Sequence, residues 1–328
     1  MRLIPRKPRD RFAEGLALVL ASTVAYGAMP IFAKLAYAGG AGPATLLSYR
    51  FVMATTVFVL MARGKPRLPL HSRLLLWGLG VVFMANAFVY FKALETTPAS
   101  VVSVILYTYP VWVTLFSAAA GLEALTVRSL LTVAMAVCGC ALAGGARLQT
   151  GDARGIVFSL LASLIYASYI VLGSRFASSL TAEASARHVA QACAALSVPW
   201  AALSGALHPP RTAQAWGAIL AIALICTIVA FRTFLAGLAR VGPVTAALVS
   251  SFEVVVTMAL AMIFLGERPG PWQLAGATLI LGAVVLQNAR GLGMALNQED
   301  TKDTTRHKEP AEEPVNVPAG PPSGRCGR

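Results

Sequence analysis

The chain has 328 residues, 57% of them apolar and only 12% charged, with a mean hydropathy of +0.68 and a net charge of +13. An average soluble domain carries about 25% charged residues, so this composition excludes a water-facing surface without large apolar patches. The positive charge does not indicate nucleic acid, because it is packed into short segments between apolar runs and forms no basic stripe with interleaved aromatics.

Residues 1–14 form a basic head with Arg2, Arg6, Lys7, Arg9 and Arg11. The apolar stretch that follows, 15–37, is longer than the ~7–15 residues of a signal-peptide core and reads as a retained membrane span. A helix crosses a bilayer with about 20 mostly apolar residues. On that measure ten segments are expected to cross: 15–37, 43–62, 74–93, 99–120, 126–145, 155–177, 184–204, 215–238, 243–265 and 271–288. The seventh carries Arg187, His188 and Gln191 in its first half. Connections such as "GGAGP", "RGKPRLP", "HPPR" and "GERPGP" are short and suit adjacent antiparallel helices.

With ten spans and the N-terminus in the cytoplasm, Lys and Arg in the connections and at the span ends number fourteen on the cytoplasmic side against four (Arg147, Arg154, Arg211, Arg268) on the outer side, the distal tail left out. That bias is the orientation signal of a polytopic membrane protein and predicts both termini inside. Residues 292–328 are polar, mixed in charge and rich in proline, which predicts a disordered cytoplasmic tail.

None of the five cysteines makes a CxxC pair, and four lie in apolar runs, so neither a disulfide framework nor a zinc site is expected. No nucleophile elbow, zinc-protease motif, P-loop or paired intramembrane aspartates occur. No cofactor and no enzymatic activity are expected.

The two halves repeat. Residues 86–144 align without a gap on the second half at an offset of 144, so that Leu94 meets Leu238, Val111 meets Val255 and Glu123 meets Glu267. The first and sixth spans align at an offset of 140, pairing Tyr26 with Tyr166. Span six also carries Gly155, Ser159, Ser163 and Ala167 four apart, a spacing that lets helices approach closely in lipid. Five helices per half is an odd number, so the halves insert in opposite senses. This predicts an all-α bundle of ten transmembrane helices in two inverted five-helix repeats, 15–145 and 155–288, with a substrate site near mid-membrane at their seam.

Two five-helix halves, "ALETTPA" and "GLARVGPV" ahead of spans four and nine, "LE" or "GE" with a turn after them, and "SYRF" in span two resemble the EamA-type members of the drug/metabolite transporter superfamily. The resemblance covers about residues 14–290. It implies a bacterial inner-membrane carrier with a central cavity that moves small metabolites, often amino acids, usually outward. Members commonly place proline after the span-nine glutamate. Here that residue is Val254, whereas the first half keeps Pro110, so a straighter ninth helix is expected.

Glu253 opens an otherwise apolar run, and Arg232 lies at a matching distance across the turn near Gly242. Both would sit roughly 15 Å into the hydrocarbon. A charge at a helix centre costs about 2.5–3.5 kcal/mol on insertion scales, so the two are expected either to pair or to line a hydrated cavity. The first-half equivalents are aromatic, Phe88 and Tyr109. If functional, Glu253 would take a substrate amine and carry a coupling proton, and Arg232 would take a carboxylate. Arg50 either lines the cavity or snorkels to the surface. Asn86 and Tyr90, four apart on span three, serve as interhelical glue or substrate contacts. Tyr26, Tyr166 and Tyr107 are further cavity-wall candidates. Lys34 and Lys92 read as snorkelling residues, and Trp77, Trp200, Trp216 and Trp272 as an aromatic belt. Glu267 is expected to favour the N-terminus of span ten. Small residues at Ala136, Cys140 and Gly144 leave a homodimer open. The partners expected are therefore a small-molecule substrate and the lipid bilayer, with no nucleic acid; the alternatives to a transporter are a membrane-embedded enzyme or lipid-modifying subunit, or a non-transporting membrane scaffold.

Overall fold

The architecture comes from a computed structural model, which describes residues 8–61, 68–121, 126–149, 153–176, 180–241, 246, 249–250 and 252–286. The expected tail 292–328, Glu123 and Cys326 lie outside the described residues. All regular structure among the described residues is helical. Helix is the form in which a single apolar segment satisfies its own backbone in lipid.

In chain order the helices are α1 (Pro8–Gly27), α2 (Met29–Ala38), α3 (Pro43–Met61), α4 (Leu70–Thr96), α5 (Ala99–Leu106), α6 (Tyr109–Ala119) and α7 (Val127–Gln149). The second half holds α8 (Arg154–Phe176), α9 (Ala182–Leu203), α10 (Ala213–Ala223), a π-helical turn (Leu224–Val229), α11 (Ala230–Val241), α12 (Glu253–Leu265) and α13 (Pro271–Leu286). Among the described residues, six segments are long and apolar enough to cross a membrane: Phe12–Ala38, Pro43–Met61, Leu70–Thr96, Ala99–Ala119, Arg154–Gly173 and Ala213–Leu238. Leu130–Ala143, Glu253–Leu265 and Pro271–Leu286 are apolar but shorter.

Several expected spans are broken helices. The first is interrupted at Ala28, with Pro30 in the opening turn of α2, and the fourth at Tyr107–Thr108, with Pro110 in the opening turn of α6. Proline suits a helix start, where its missing N–H has no partner to lose. The ninth departs from the straighter course expected from Val254. Phe252 is a turn residue whose N–H donates to the Val249 carbonyl at 3.2 Å, and α12 begins at Glu253. The two starts, Tyr109 and Glu253, stand 144 apart, the repeat offset (253 − 109). The break therefore follows the repeat and does not need the proline. At Gly27 a Cβ would lie 2.8 Å from Val256 and 3.3 Å from the Glu253 carbonyl oxygen, and the Thr257 hydroxyl donates to the Gly27 carbonyl at 3.0 Å. The break in the first span is thus seated against the start of α12.

The largest core cluster gathers side chains from both halves, among them Phe51, Phe91, Leu94, Ala162, Cys193 and Ile219. The small-residue row of α8 makes the close approach its spacing implies. Ser159, Ser163 and Ala167 are fully buried, Ser163 and Thr108 hydroxyls lie 2.9 Å apart, and Gly155 leaves no room for a Cβ beside Thr97. α7 meets α13 backbone to backbone: a Cβ on Gly276 would stand 2.5 Å from the Gly139 carbonyl oxygen and 2.8 Å from the Ala143 nitrogen.

One face of the bundle is sewn shut between the halves. The Arg211 N–H donates to the Gly39 carbonyl at 3.2 Å, and the Thr45 hydroxyl donates to the Ala206 carbonyl at 2.8 Å. Glu267 caps a different helix from the one expected. Its carboxylate accepts the backbone N–H groups of Ala99 (2.7 Å) and Ser100 (3.1 Å) and the Ser100 hydroxyl (2.6 Å), so it closes the N-terminus of α5 in the opposite repeat. The reason is geometric. Pro98 precedes α5 and none of its own side chains caps it, which leaves first-turn N–H groups for an anion from elsewhere.

The α7–α13 contact gives a discriminating pair of substitutions. Gly276→Ala drives a methyl into backbone and is expected to lower stability by about 1–3 kcal/mol. Gly78→Ala, where a Cβ meets nothing within 4 Å, is expected to be neutral or slightly stabilising. Unfolding of the purified protein by a denaturing detergent reads both.

Candidate functional site

The interior of the bundle holds a cavity of about 360 Å³ lined from both halves. Eight of the nine sequence candidates stand in its wall: Tyr26, Arg50, Asn86, Tyr90, Tyr107, Tyr109, Tyr166 and Glu253. The ninth, Arg232, does not. It is exposed, its nearest recorded polar partner is the Met61 sulfur at 3.9 Å, and it makes no recorded bond to Glu253. The expectation that Arg232 either pairs with Glu253 or lines the cavity beside it is therefore corrected. Its repeat equivalent, Phe88, also lies outside the cavity, edge-on to Trp200 at 4.8 Å.

The helix breaks deliver the anionic part of the site. Glu253 is the first residue of α12 and Tyr109 the first of α6. The Tyr107 hydroxyl, in the break before α6, lies 2.7 Å from Glu253 Oε2 and 2.8 Å from the Ser250 carbonyl oxygen. Among the described residues no Lys, Arg or His pairs with Glu253. A tyrosine wall surrounds it: Tyr107–Tyr109 at 5.6 Å, Tyr109–Tyr166 at 4.9 Å, and Tyr166–Tyr169 stacked at 6.1 Å with an interplanar angle of 12°.

The cationic part is Arg50 on α3, only 5% exposed. Its Nε–H donates to the Thr227 hydroxyl at 3.0 Å, and its guanidinium lies 5.1 Å from the Phe51 ring centroid and 5.6 Å from that of Phe91. These are cation–π distances. Of the two sequence readings for Arg50, the structure places it in the wall and not at the surface. Tyr26 and Tyr90 stand within electrostatic reach of both Arg50 and Glu253.

Asn86 does two things at once. Its amide donates to the Ala162 carbonyl at 2.7 Å, tying α4 to α8, and it lines the cavity. Lys92 pairs with Glu95 on its own helix. Sequence reasoning missed Tyr169, Thr227, Phe231 and Phe234, all in the wall. Tyr169 carried a signal, being three residues from Tyr166 on one helix face. Thr227 carried none beyond a hydroxyl in an apolar run.

The description "EamA-like transporter family" matches this chain twice, over residues 13–145 and 153–289. An "Uncharacterized transporter YcbK" of Bacillus subtilis (strain 168) is 30% identical over 281 residues, which is 80% of this chain and 89% of that protein. A solved protein titled "Crystal structure of protein" superposes with a TM-score of 0.59 at 20% identity, covering 84% of this chain and 96% of its own, and at that identity it shows the fold alone.

Removing one hydroxyl tests the Glu253 environment. Tyr107→Phe deletes the one side-chain hydrogen bond to the carboxyl among the described residues and is expected to cost about 0.5–1.5 kcal/mol of stability. Arg232→Gln, at an exposed position, should change it by less than about 0.5 kcal/mol. The same detergent titration compares the two.

Proposed function

The chain belongs to the EamA-like transporter family, and from that premise we propose that it is a secondary carrier exporting small polar metabolites such as amino acids. In this reading ten helices cross the bacterial inner membrane with both termini in the cytoplasm, and the central cavity opens to each side in turn. The family membership, the cavity shared by the two repeats, and the absence of a nucleotide-binding motif in the sequence support a gradient-driven carrier.

The single observation that carries this reading is Glu253. A carboxyl group in the cavity wall, with no cationic partner among the described residues, is matched to a substrate ammonium or a proton. The Tyr107 hydroxyl has one hydrogen and two acceptors within 2.8 Å. If Glu253 is protonated, its O–H donates to the Tyr107 oxygen while Tyr107 donates to Ser250, and every short contact is satisfied. If it is ionised, only one of the two contacts holds a hydrogen. Both short contacts are therefore satisfied in full only with a proton on Glu253. An arriving ammonium takes the place of that proton, so proton and substrate alternate at one carboxyl and exchange across the membrane in opposite directions.

Alternation also needs one closed face. The seam joining Gly39, Thr45, Ser100, Ala206, Arg211 and Glu267 supplies it. Phe58 in the last turn of α3, Ala186 and Ala190 in the first turns of α9, and Phe231 and Phe234 in the first half of α11 carry the lining away from that seam.

Reconstituted into liposomes, the protein should exchange a labelled mixture of amino acids, and an opposing proton gradient should accelerate it by about tenfold or more. Glu253→Gln keeps a donor toward Tyr107 but carries no exchangeable charge, and should flatten the pH dependence while leaving the protein folded. An unchanged pH profile in Glu253→Gln removes the proton role. Failure of the wild-type protein to move any member of the mixture removes the substrate class.

A further inference from the structure

Arg50 lies in a setting that its own charge makes costly. It is 95% buried (100 − 5) in the core of a membrane bundle, against two aromatic rings. Removing a guanidinium from water costs several kcal/mol even after relaxation, and such groups are normally answered by a carboxylate. Among the described residues no carboxylate answers it. Its one protein acceptor is the hydroxyl of Thr227, which takes the Nε–H. That leaves the two terminal nitrogens, the paired fork that binds a carboxylate in two parallel hydrogen bonds, without a protein acceptor among the described residues, in a residue that lines the cavity.

Thr227 is itself held by an unusual backbone. It sits in the π-helical turn Leu224–Val229 between α10 and α11, and its hydroxyl donates to the Ile222 carbonyl five residues back at 2.8 Å. With its hydrogen committed there, the Thr227 oxygen is left as an acceptor, which is what an Arg Nε–H needs. An α-helical threonine would donate three or four residues back. The π turn adds a residue to the loop and rotates the hydroxyl toward α3. Single π turns of this kind recur at functional sites. The arrangement fixes the rotation of the guanidinium plane through Nε and leaves its outer edge free.

We infer that Arg50, oriented by Thr227 of the π turn, is the anion subsite of the cavity, the place where the carboxylate of a transported amino acid binds. Arg50 takes the carboxylate on its terminal nitrogens and Glu253 takes the ammonium. Tyr26 and Tyr90, in electrostatic reach of both groups, line the same cavity. Thr227 is a positioning residue and does not touch the ligand. This assignment deepens the transport reading and rests on it only for the word "transported"; the two-charge site stands or falls by binding.

The test is ligand-induced thermal stabilisation of the purified full-length protein, run beside liposome uptake. The probes are the mixture of standard amino acids and the matched mixture of their primary amides, which keep the ammonium and lose the carboxylate. The wild-type protein should be stabilised by the acids at concentrations about tenfold or more below those needed for the amides. Arg50→Gln should erase that preference. Thr227→Val, nearly isosteric but without the acceptor, should shrink the preference several-fold by raising the apparent KM with little change in maximal rate, and Thr227→Ser should restore it. A merely structural threonine would instead lower the melting temperature of Thr227→Val while leaving the acid-to-amide ratio intact, and that result overturns the positioning role. Equal stabilisation by acids and amides in the wild type, or stabilisation by neither, overturns the subsite. Binding with the expected preference but no uptake would sink the transport reading and leave the subsite standing.

Discussion

A charge placed in hydrocarbon must be neutralised, hydrated or answered by something that arrives from outside. Arg50 is such a charge and Glu253 becomes one when it gives up a proton; both line one chamber, and among the described residues no ion pair answers either. Much of the local structure can be read as provision for them. Two helix breaks lay Tyr107 and Glu253 side by side, a π turn brings a threonine oxygen to Arg50, and tyrosine rings with polar edges line the gap where aliphatic side chains would raise the cost of either charge.

The repeat explains how one chain builds an asymmetric site from a symmetric frame. Tyr109 and Glu253 are the same position of the same broken helix in two copies. The backbone break is inherited by both, and only the side chain differs. One copy presents a ring and the other an acid, each at the start of a half-helix whose free N–H groups carry partial positive charge. The break survives in the second copy without its proline because Thr257 and Gly27 hold α12 against the first span from the side.

Position along a helix was legible in the sequence, and azimuth was not. Hydropathy marks where a segment runs and how far along it a residue lies. It singled out Glu253 far along an apolar run, the repeat picked out Tyr26 and Tyr166 as a pair, and all three line the cavity. Arg232 was placed by the same reasoning and went wrong in rotation. The π turn just upstream inserts a residue, turns the following helix by roughly 100°, and carries Arg232 to the outside beside Met61. Nothing in "LICTIV" announces a π turn. Glu267 was read for a local partner, the helix directly after it, whereas its ligands begin α5 some 167 residues away. Capping by a distant carboxylate leaves no local pattern, because the requirement lies in the orphaned N–H groups and not in the residue that meets them.

The seam on the closed face is made of hydrogen bonds to backbone groups and one carboxylate cap, with little interlocked hydrocarbon in the bonds that define it. Water offers every one of those groups a replacement of nearly equal strength. Parting the halves there would exchange those bonds for bonds to water, while the close apolar contacts beside them, such as Gly39 packed against Ala215, would be lost outright.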